Sequence, residues 1–186
     1  MLIAAVLGLG RPALAAGGQT PSPALFDKDR VGVEFGLGLL TEAWDSNGSR
    51  ESVADGTLGV WWAFAGRATL VIEFHATRVF QESPRDAFVT GIAPVVRIKA
   101  LDRGRWDMFA EFGIGGMWSD TAVPARGTRF NYLGIAGLGF SRALGEQTSL
   151  TTGARWWHLS NNGLEGRDHN PDIQALGGYV ALTIAF

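Results

Sequence analysis

From Val31 to the C-terminus the hydrophobic pattern repeats every two residues, and that period commits the chain to extended strands with two unlike faces. In the first such segment Val31, Val33, Phe35, Leu37 and Leu39 alternate with Gly32, Glu34, Gly36, Gly38 and Leu40. The last is cleaner: Leu176, Val180, Leu182, Ile184 and Phe186 share one face, with Gly177, Tyr179, Ala181, Thr183 and Ala185 on the other. A soluble sandwich buries its apolar face against a second sheet, whereas a membrane barrel turns it to lipid. The period alone fits both.

The connections separate them. Strands are expected near 31–43, 54–65, 67–80, 87–101, 106–118, 129–141, 147–160 and 173–186. The links after the second, fourth and sixth are short: Gly66, then Asp102–Arg105, then Arg142–Glu146. The others tend to be longer and more polar, notably Asp45–Val53, Ser119–Thr128 and Asn161–Asp172. Short turns at one rim and long loops at the other are the outer-membrane pattern, and an even strand count leaves both ends on the short-turn, periplasmic side. Trp44, Phe80, Trp118, Trp156 and Trp157 fall towards the long-loop ends, and Phe64, Trp106, Phe140 and Phe186 towards the short-turn ends, as two aromatic girdles would. No run approaches the ~20 apolar residues of a spanning helix. The fold class expected is therefore all-β: an eight-stranded antiparallel transmembrane barrel over 31–186.

Ahead of it, Met1–Gly10 is a short apolar core followed by Pro12 and the small-residue site Ala13-Leu14-Ala15, which reads as a signal peptide over 1–15, although Arg11 follows the apolar run and no basic residue precedes it. Residues 16–30, with two prolines and no period, read as a flexible lead-in. With no cysteine there is neither a disulfide framework nor a thiol nucleophile, and a net charge of −2 gives no footprint for nucleic acid. No His, Asp or Glu group has metal-site spacing, and no cofactor is called for.

An eight-stranded barrel is too narrow for a water channel, so side chains fill it. Parity sends Glu34, Glu73, His75, Arg97, Glu111, Asn131 and Arg155 inward, as a satisfied polar interior, with His75 a core hydrogen-bonder. The Gly-x-Gly triplets Gly36/Gly38, Gly113/Gly115 and Gly137/Gly139 lie inside alternating strands and serve packing, not phosphate binding.

One segment carries chemistry: Arg155-Trp156-Trp157-His158-Leu159-Ser160-Asn161-Asn162-Gly163. His158 and Ser160, two apart, share a face at ~7 Å between Cα atoms, within reach of an imidazole–hydroxyl contact. That face also carries Leu150, Ala154 and Trp156, so it is the lipid side. A His and a Ser exposed to lipid are costly unless paired, which marks them as functional candidates. A base of this kind needs a group that fixes its tautomer. On the neighbouring last strand parity places Gln174 and Asp172 on the same side: the Gln174 carbonyl is expected to accept the imidazole N–H, and Asp172 is the stronger charged partner if the chain bends to bring it there.

His158-Leu159-Ser160-Asn161-Asn162-Gly163-Leu164 followed by Asn170-Pro171 resembles the lipid A 3-O-deacylase (PagL-type) family, as do Phe109-Ala110-Glu111-Phe112-Gly113-Ile114-Gly115 and Phe130-Asn131-Tyr132. The resemblance implies an eight-stranded outer-membrane barrel that hydrolyses the 3-position ester of lipid A. It implies Ser160 as nucleophile, His158 as general base and then acid, Asn161 as oxyanion-hole donor and Asn170 as a supporting residue. The family's triad has a Glu where this sequence has Gln174, so the third role stays open between Gln174 and Asp172. The partner implied is lipopolysaccharide in the outer leaflet, with Trp156 and Phe112 lining an acyl groove and Arg126, Arg129 and Arg167 near its phosphates; a homodimer is left open. Two other readings compete: a non-catalytic structural or adhesive barrel, and a soluble carrier with an apolar cavity.

Overall fold

The computed structural model describes residues 22–44, 50–82, 85–166 and 170–186. The segment read as a signal peptide, 1–15, lies outside the described residues. Eight strands follow one another: β1 (Val31–Glu42), β2 (Ser52–Ala65), β3 (Ala68–Phe80), β4 (Ala87–Asp102), β5 (Trp106–Val123), β6 (Thr128–Ala143), β7 (Thr148–Ser160) and β8 (Ile173–Ala185). Each pairs antiparallel with the next, and β1 pairs with β8 from Gly32↔Ala185 to Glu42↔Ala175, which closes the barrel. The expected strands are all present, and the links after β1, β3 and β7 are longer than those after β2, β4 and β6.

Two expectations at the ends of elements need correction. The stretch expected as a loop over Ser119–Thr128 is largely strand: β5 and β6 run on, and only Pro124–Gly127 turns. Side chains carry the ladder across the irregular pairing there, with the single Ser119 hydroxyl proton placed between the Thr121 and Arg129 carbonyls and Arg129 Nε donating to the Ser119 carbonyl. The second half of the supposed flexible lead-in is also built into the fold. Ala24–Phe26 form a 3₁₀ turn whose three side chains are buried in the short-turn mouth of the barrel. Phe26 packs on Phe109 at 5.8 Å, Thr69 Oγ1 donates to the Leu25 carbonyl, and the Asp29 N–H and Ala63 carbonyl tie the segment to β2. The absence of a period hid this, because a plug need satisfy no repeating face.

The exterior is apolar. Leu37, Leu39 and Ile114 are 69%, 72% and 67% exposed, within a band that also includes Phe35, Phe74, Phe112, Leu138, Leu176 and Leu182. Water tolerates no such band on a monomer, but the hydrocarbon of a bilayer does. Trp44, Phe80 and Trp118 at one rim and Phe64, Trp106, Phe140 and Phe186 at the other face outward, as the girdles require. Trp157 does not: it is buried inside, edge-on to His75 at 5.4 Å. Two consecutive residues on a strand point to opposite faces, so only one of Trp156 and Trp157 can reach lipid.

Inside, a charged layer sits between two apolar ones. Arg97 binds Glu34 through two bonds of 2.7 Å, Glu111 at 3.1 Å and Glu73 at 3.3 Å. Arg155 binds Glu73 at 2.7 and 2.9 Å and Glu111 at 2.6 and 3.0 Å, and lies over the Tyr179 ring at 4.2 Å. Thr183 and Tyr179 hydroxyls donate to Glu34 and Glu111. Beside this layer, Asp55 accepts from Thr77 and faces His75 Nδ1 at 3.1 Å. Trp61, Val71 and Phe109 close the interior towards the plug, and Met117, Leu133, Trp157, Leu159 and Ile173 close it towards the long loops. Glycines give the layer its room: a Cβ on Gly153 would lie 2.7 Å from the Tyr179 ring, and one on Gly137 would lie 2.9 Å from a Glu111 oxygen. With the lumen filled in this way, the carrier reading, which needs an open apolar cavity, has no place.

Replacing Arg155 by Ala leaves the three buried carboxylates of Glu34, Glu73 and Glu111 to share Arg97, an uncompensated buried negative charge that costs about 3–5 kcal/mol. Denaturant unfolding of the refolded barrel in lipid, read by gel mobility, is expected to show a clearly lowered midpoint, and an unchanged midpoint would refute the structural role given to the charged layer.

Candidate functional site

The site stands where β7 and β8 meet the long-loop rim. Along β7 the even residues Leu150, Thr152, Ala154, Trp156 and His158 face out, while Thr151, Arg155, Trp157 and Leu159 are buried inside. The register sets Gln174 of β8 directly opposite His158, and Tyr132 of β6 opposite Ser160. His158 Nε2 and Ser160 Oγ are 3.1 Å apart, the distance of a hydrogen bond. The pair therefore projects from the wall, as parity implied. Ser160 is nonetheless 8% exposed, tucked under the following turn, and the His158 side chain is 33% exposed.

Around the imidazole, Gln174 Nε2 lies 2.7 Å from His158 Nδ1 and 2.6 Å from Asp172 Oδ2. Gln174 Oε1 accepts from Trp156 Nε1 at 3.0 Å. Asp172 Oδ2 is itself 3.6 Å from His158 Nδ1. The indole of Trp156 stacks on the imidazole, 5.8 Å between centroids and 18° between planes. Both proposed third members thus reach the histidine, but the role expected for Gln174 is reversed. Its carbonyl is taken by the indole, so the amide presents N–H, not C=O, to the ring.

Asn161, expected as an oxyanion donor, has its side chain engaged within the loop. It is 2% exposed and turned into the loop, its Nδ2 donating to Thr128 Oγ1 at 3.0 Å and its Oδ1 accepting from the Gly163 N–H at 2.8 Å. Its backbone N–H donates to Asn170 Oδ1 at 2.9 Å, which ties Asn170 to the same loop. The turn that follows holds Asn162 and Gly163 at φ of 54° and 74°, the left-handed region that Asn and Gly adopt most easily. The side chain of Asn161 thus builds the loop that covers Ser160. Trp156 as a hydrogen-bond donor and Thr128 as the support of Asn161 were not foreseen. The first was accessible from parity, since Trp156 shares the face of His158; the second depends on the β6–β7 register.

Below the pair a shallow trough runs down the wall. Gly134 pairs with both Ile114 and His158, and Ala136 with both Phe112 and Trp156, so two small residues of β6 lie between larger side chains of β5 and β7, down to Leu138. A depression of about 770 Å³ elsewhere on the barrel, lined by Leu37, Leu39, Ala54, Gly178 and Val180 among others, does not include the His–Ser pair. At the rim the Arg129 guanidinium lies over Trp118 at 5.5 Å. Arg167 lies outside the described residues. Among the described residues no group of three or more His, Cys, Asp or Glu side chains is arranged to hold a metal ion.

These features define a class: a small outer-membrane barrel with a histidine–serine pair facing lipid at its outer rim. The chain belongs to the lipid A 3-O-deacylase (PagL) family, whose model matches residues 25–183. Among solved structures it is similar to the outer membrane enzyme PagL, at 18% identity and TM-score 0.56, covering 81% of this chain and 97% of that one. It also aligns with the outer membrane protein OprG from Pseudomonas aeruginosa, at 14% identity and TM-score 0.49, covering 86% of this chain and 97% of that one. No curated protein sequence matches the chain.

Asn170→Ala removes the acceptor of the Asn161 N–H, a bond worth about 1 kcal/mol. Amide exchange at Asn161 is expected to quicken by about fivefold while Trp157 and Leu159 on β7 stay protected; equal exchange in both proteins would detach Asn170 from the loop.

Proposed function

We propose that this chain hydrolyses the 3-O-linked acyl ester of lipid A in the outer leaflet, with Ser160 as nucleophile and His158 as general base and acid. The observation that carries this reading is the 3.1 Å contact between His158 Nε2 and Ser160 Oγ on the lipid-facing wall, within a chain of this family. Lipid A ester bonds lie near the polar boundary of the leaflet, at the height of a site just below the outer rim. Ser160 Oγ attacks the ester carbonyl carbon as its proton passes to His158 Nε2. Collapse of the tetrahedral adduct returns that proton to the sugar oxygen, which leaves as the free 3-hydroxyl. Water, activated by the same nitrogen, then cleaves the acyl-serine and releases a 3-hydroxy fatty acid.

The trough over Gly134 and Ala136, walled by Phe112, Ile114 and Trp156, suits an acyl chain running down from the reacting ester. Arg129, anchored on Trp118 and on the Ser119 carbonyl, suits a phosphate of the sugar headgroup. A non-catalytic barrel is the second reading. The amide that Gln174 presents to His158 favours it, because a triad needs an acceptor at that position.

Mass spectrometry of lipid A incubated with the purified barrel decides between them. The wild type is expected to remove one 3-hydroxyacyl group, and Ser160→Ala to lower the rate by at least about 10³-fold. Unaltered lipid A with the wild type would sink the hydrolase reading.

A further inference from the structure

The hydrogen-bond partners of Gln174 dictate a tautomer. An indole nitrogen only donates, and an ionised carboxylate only accepts. With Trp156 Nε1 at 3.0 Å from Oε1 and Asp172 Oδ2 at 2.6 Å from Nε2, the Gln174 amide has one satisfied orientation. Its second N–H then points at His158 Nδ1, 2.7 Å away, so Nδ1 accepts. A neutral imidazole with an accepting Nδ1 carries its proton on Nε2, the nitrogen that faces Ser160 at 3.1 Å. In that form histidine donates to the serine and has no lone pair to take its proton.

Asp172 offers the remedy. Its Oδ2 is 3.6 Å from Nδ1, beyond the ~2.9 Å of an N–H···O bond. The Gln174 amide nitrogen is bonded to both atoms and stands between them. Once the amide swings aside, a short approach lets Asp172 accept from Nδ1–H, which frees Nε2 to act as base.

We propose that Trp156 and Gln174 form a latch that holds His158 in the Nε2-protonated, resting tautomer, and that Asp172 is the acceptor that orients the working one. Trp156 and Gln174 are positioning residues, acting through the imidazole. This deepens the deacylase reading and rests on it for its catalytic consequence, but the tautomer itself is independent of any activity. The indole is also a wall of the trough below His158, so an acyl chain laid there bears on the ring that holds the latch shut.

The test is nitrogen-15 NMR of histidine-labelled barrel in lipid nanodiscs at neutral pH, with the His158 signals assigned by loss in His158→Gln. The wild type is expected to carry its proton on Nε2. Gln174→Ala, which removes the latch and leaves Asp172 facing the ring, is expected to move it to Nδ1. Trp156→Phe, which keeps the ring and deletes only the indole N–H, is expected to shift it partly the same way. Heat-modifiable gel mobility checks that each variant is a folded barrel. A wild-type proton on Nδ1, or a tautomer indifferent to Gln174→Ala, overturns the latch whether or not the protein deacylates lipid A. In the lipid A assay Gln174→Ala is expected to turn over faster than wild type, and Asp172→Asn to fall by about 10²–10⁴-fold. Loss in the first with full activity in the second would return the orienting role to Gln174. No turnover by the wild type, with the tautomers as expected, would remove the deacylase reading and leave the latch standing.

Discussion

The fold depends on the two arginines in its lumen. Arg97 and Arg155 between them bind Glu34, Glu73 and Glu111, and with Tyr179 and Thr183 they draw on six of the eight strands. A buried charge without its partners costs several kcal/mol, so none of the five strands that carry a charge can slip by one residue without putting an ion into lipid, and a slip of β8 would turn out the hydroxyls of Tyr179 and Thr183. The network therefore fixes the facing of every residue on those strands. On β7 it sends Arg155 inward and, by alternation, Trp156 and His158 outward. The position of the His–Ser pair on the lipid side is a consequence of the ion pairs on the other side of the same strand.

Much of this was legible because a strand is a two-valued code. Once the period is two, a single charged residue settles the facing of its neighbours, and Glu34, Glu73, Arg97, Glu111 and Arg155 all lie where parity put them. The code also exposes its own misreading: Trp157 belonged to the girdle only if adjacent residues could face the same way. The plug at Ala24–Phe26 and the extended β5–β6 hairpin were not legible, because one has no repeat and the other is carried across its irregularity by side-chain bonds that no pattern announces.

At the site, parity gave proximity but not polarity. It brought His158, Ser160, Gln174 and Asp172 to one face, and the register confirms Gln174 as the cross-strand neighbour of His158. What it left open was the direction of each hydrogen bond. A glutamine amide is symmetric in shape and opposite in chemistry at its two ends, so its role is set by third parties, here the Trp156 N–H and the Asp172 carboxylate. For Asn161 likewise, the sequence shows a donor beside Ser160, while Thr128 and Gly163 turn it into the loop.

Polar groups on a lipid-facing wall persist only if they satisfy one another, and this group does so in a chain from Trp156 through Gln174 to both Asp172 and His158, and on to Ser160. On the proposed latch, the satisfaction that makes the constellation tolerable in a membrane also holds the imidazole in its resting form. Turning the amide away breaks up to three bonds of roughly 0.5–1.5 kcal/mol each, partly repaid by the charge-assisted bond from Nδ1 to Asp172. A net difference of about 1.4–2.7 kcal/mol would leave the working tautomer populated at roughly one part in ten to one in a hundred. On the proposed deacylase reading this suits a barrel surrounded by its own substrate: a serine permanently activated in the outer leaflet would meet esters at every encounter, whereas a latch released by contact with the Trp156 wall would respond to a chain seated in the trough.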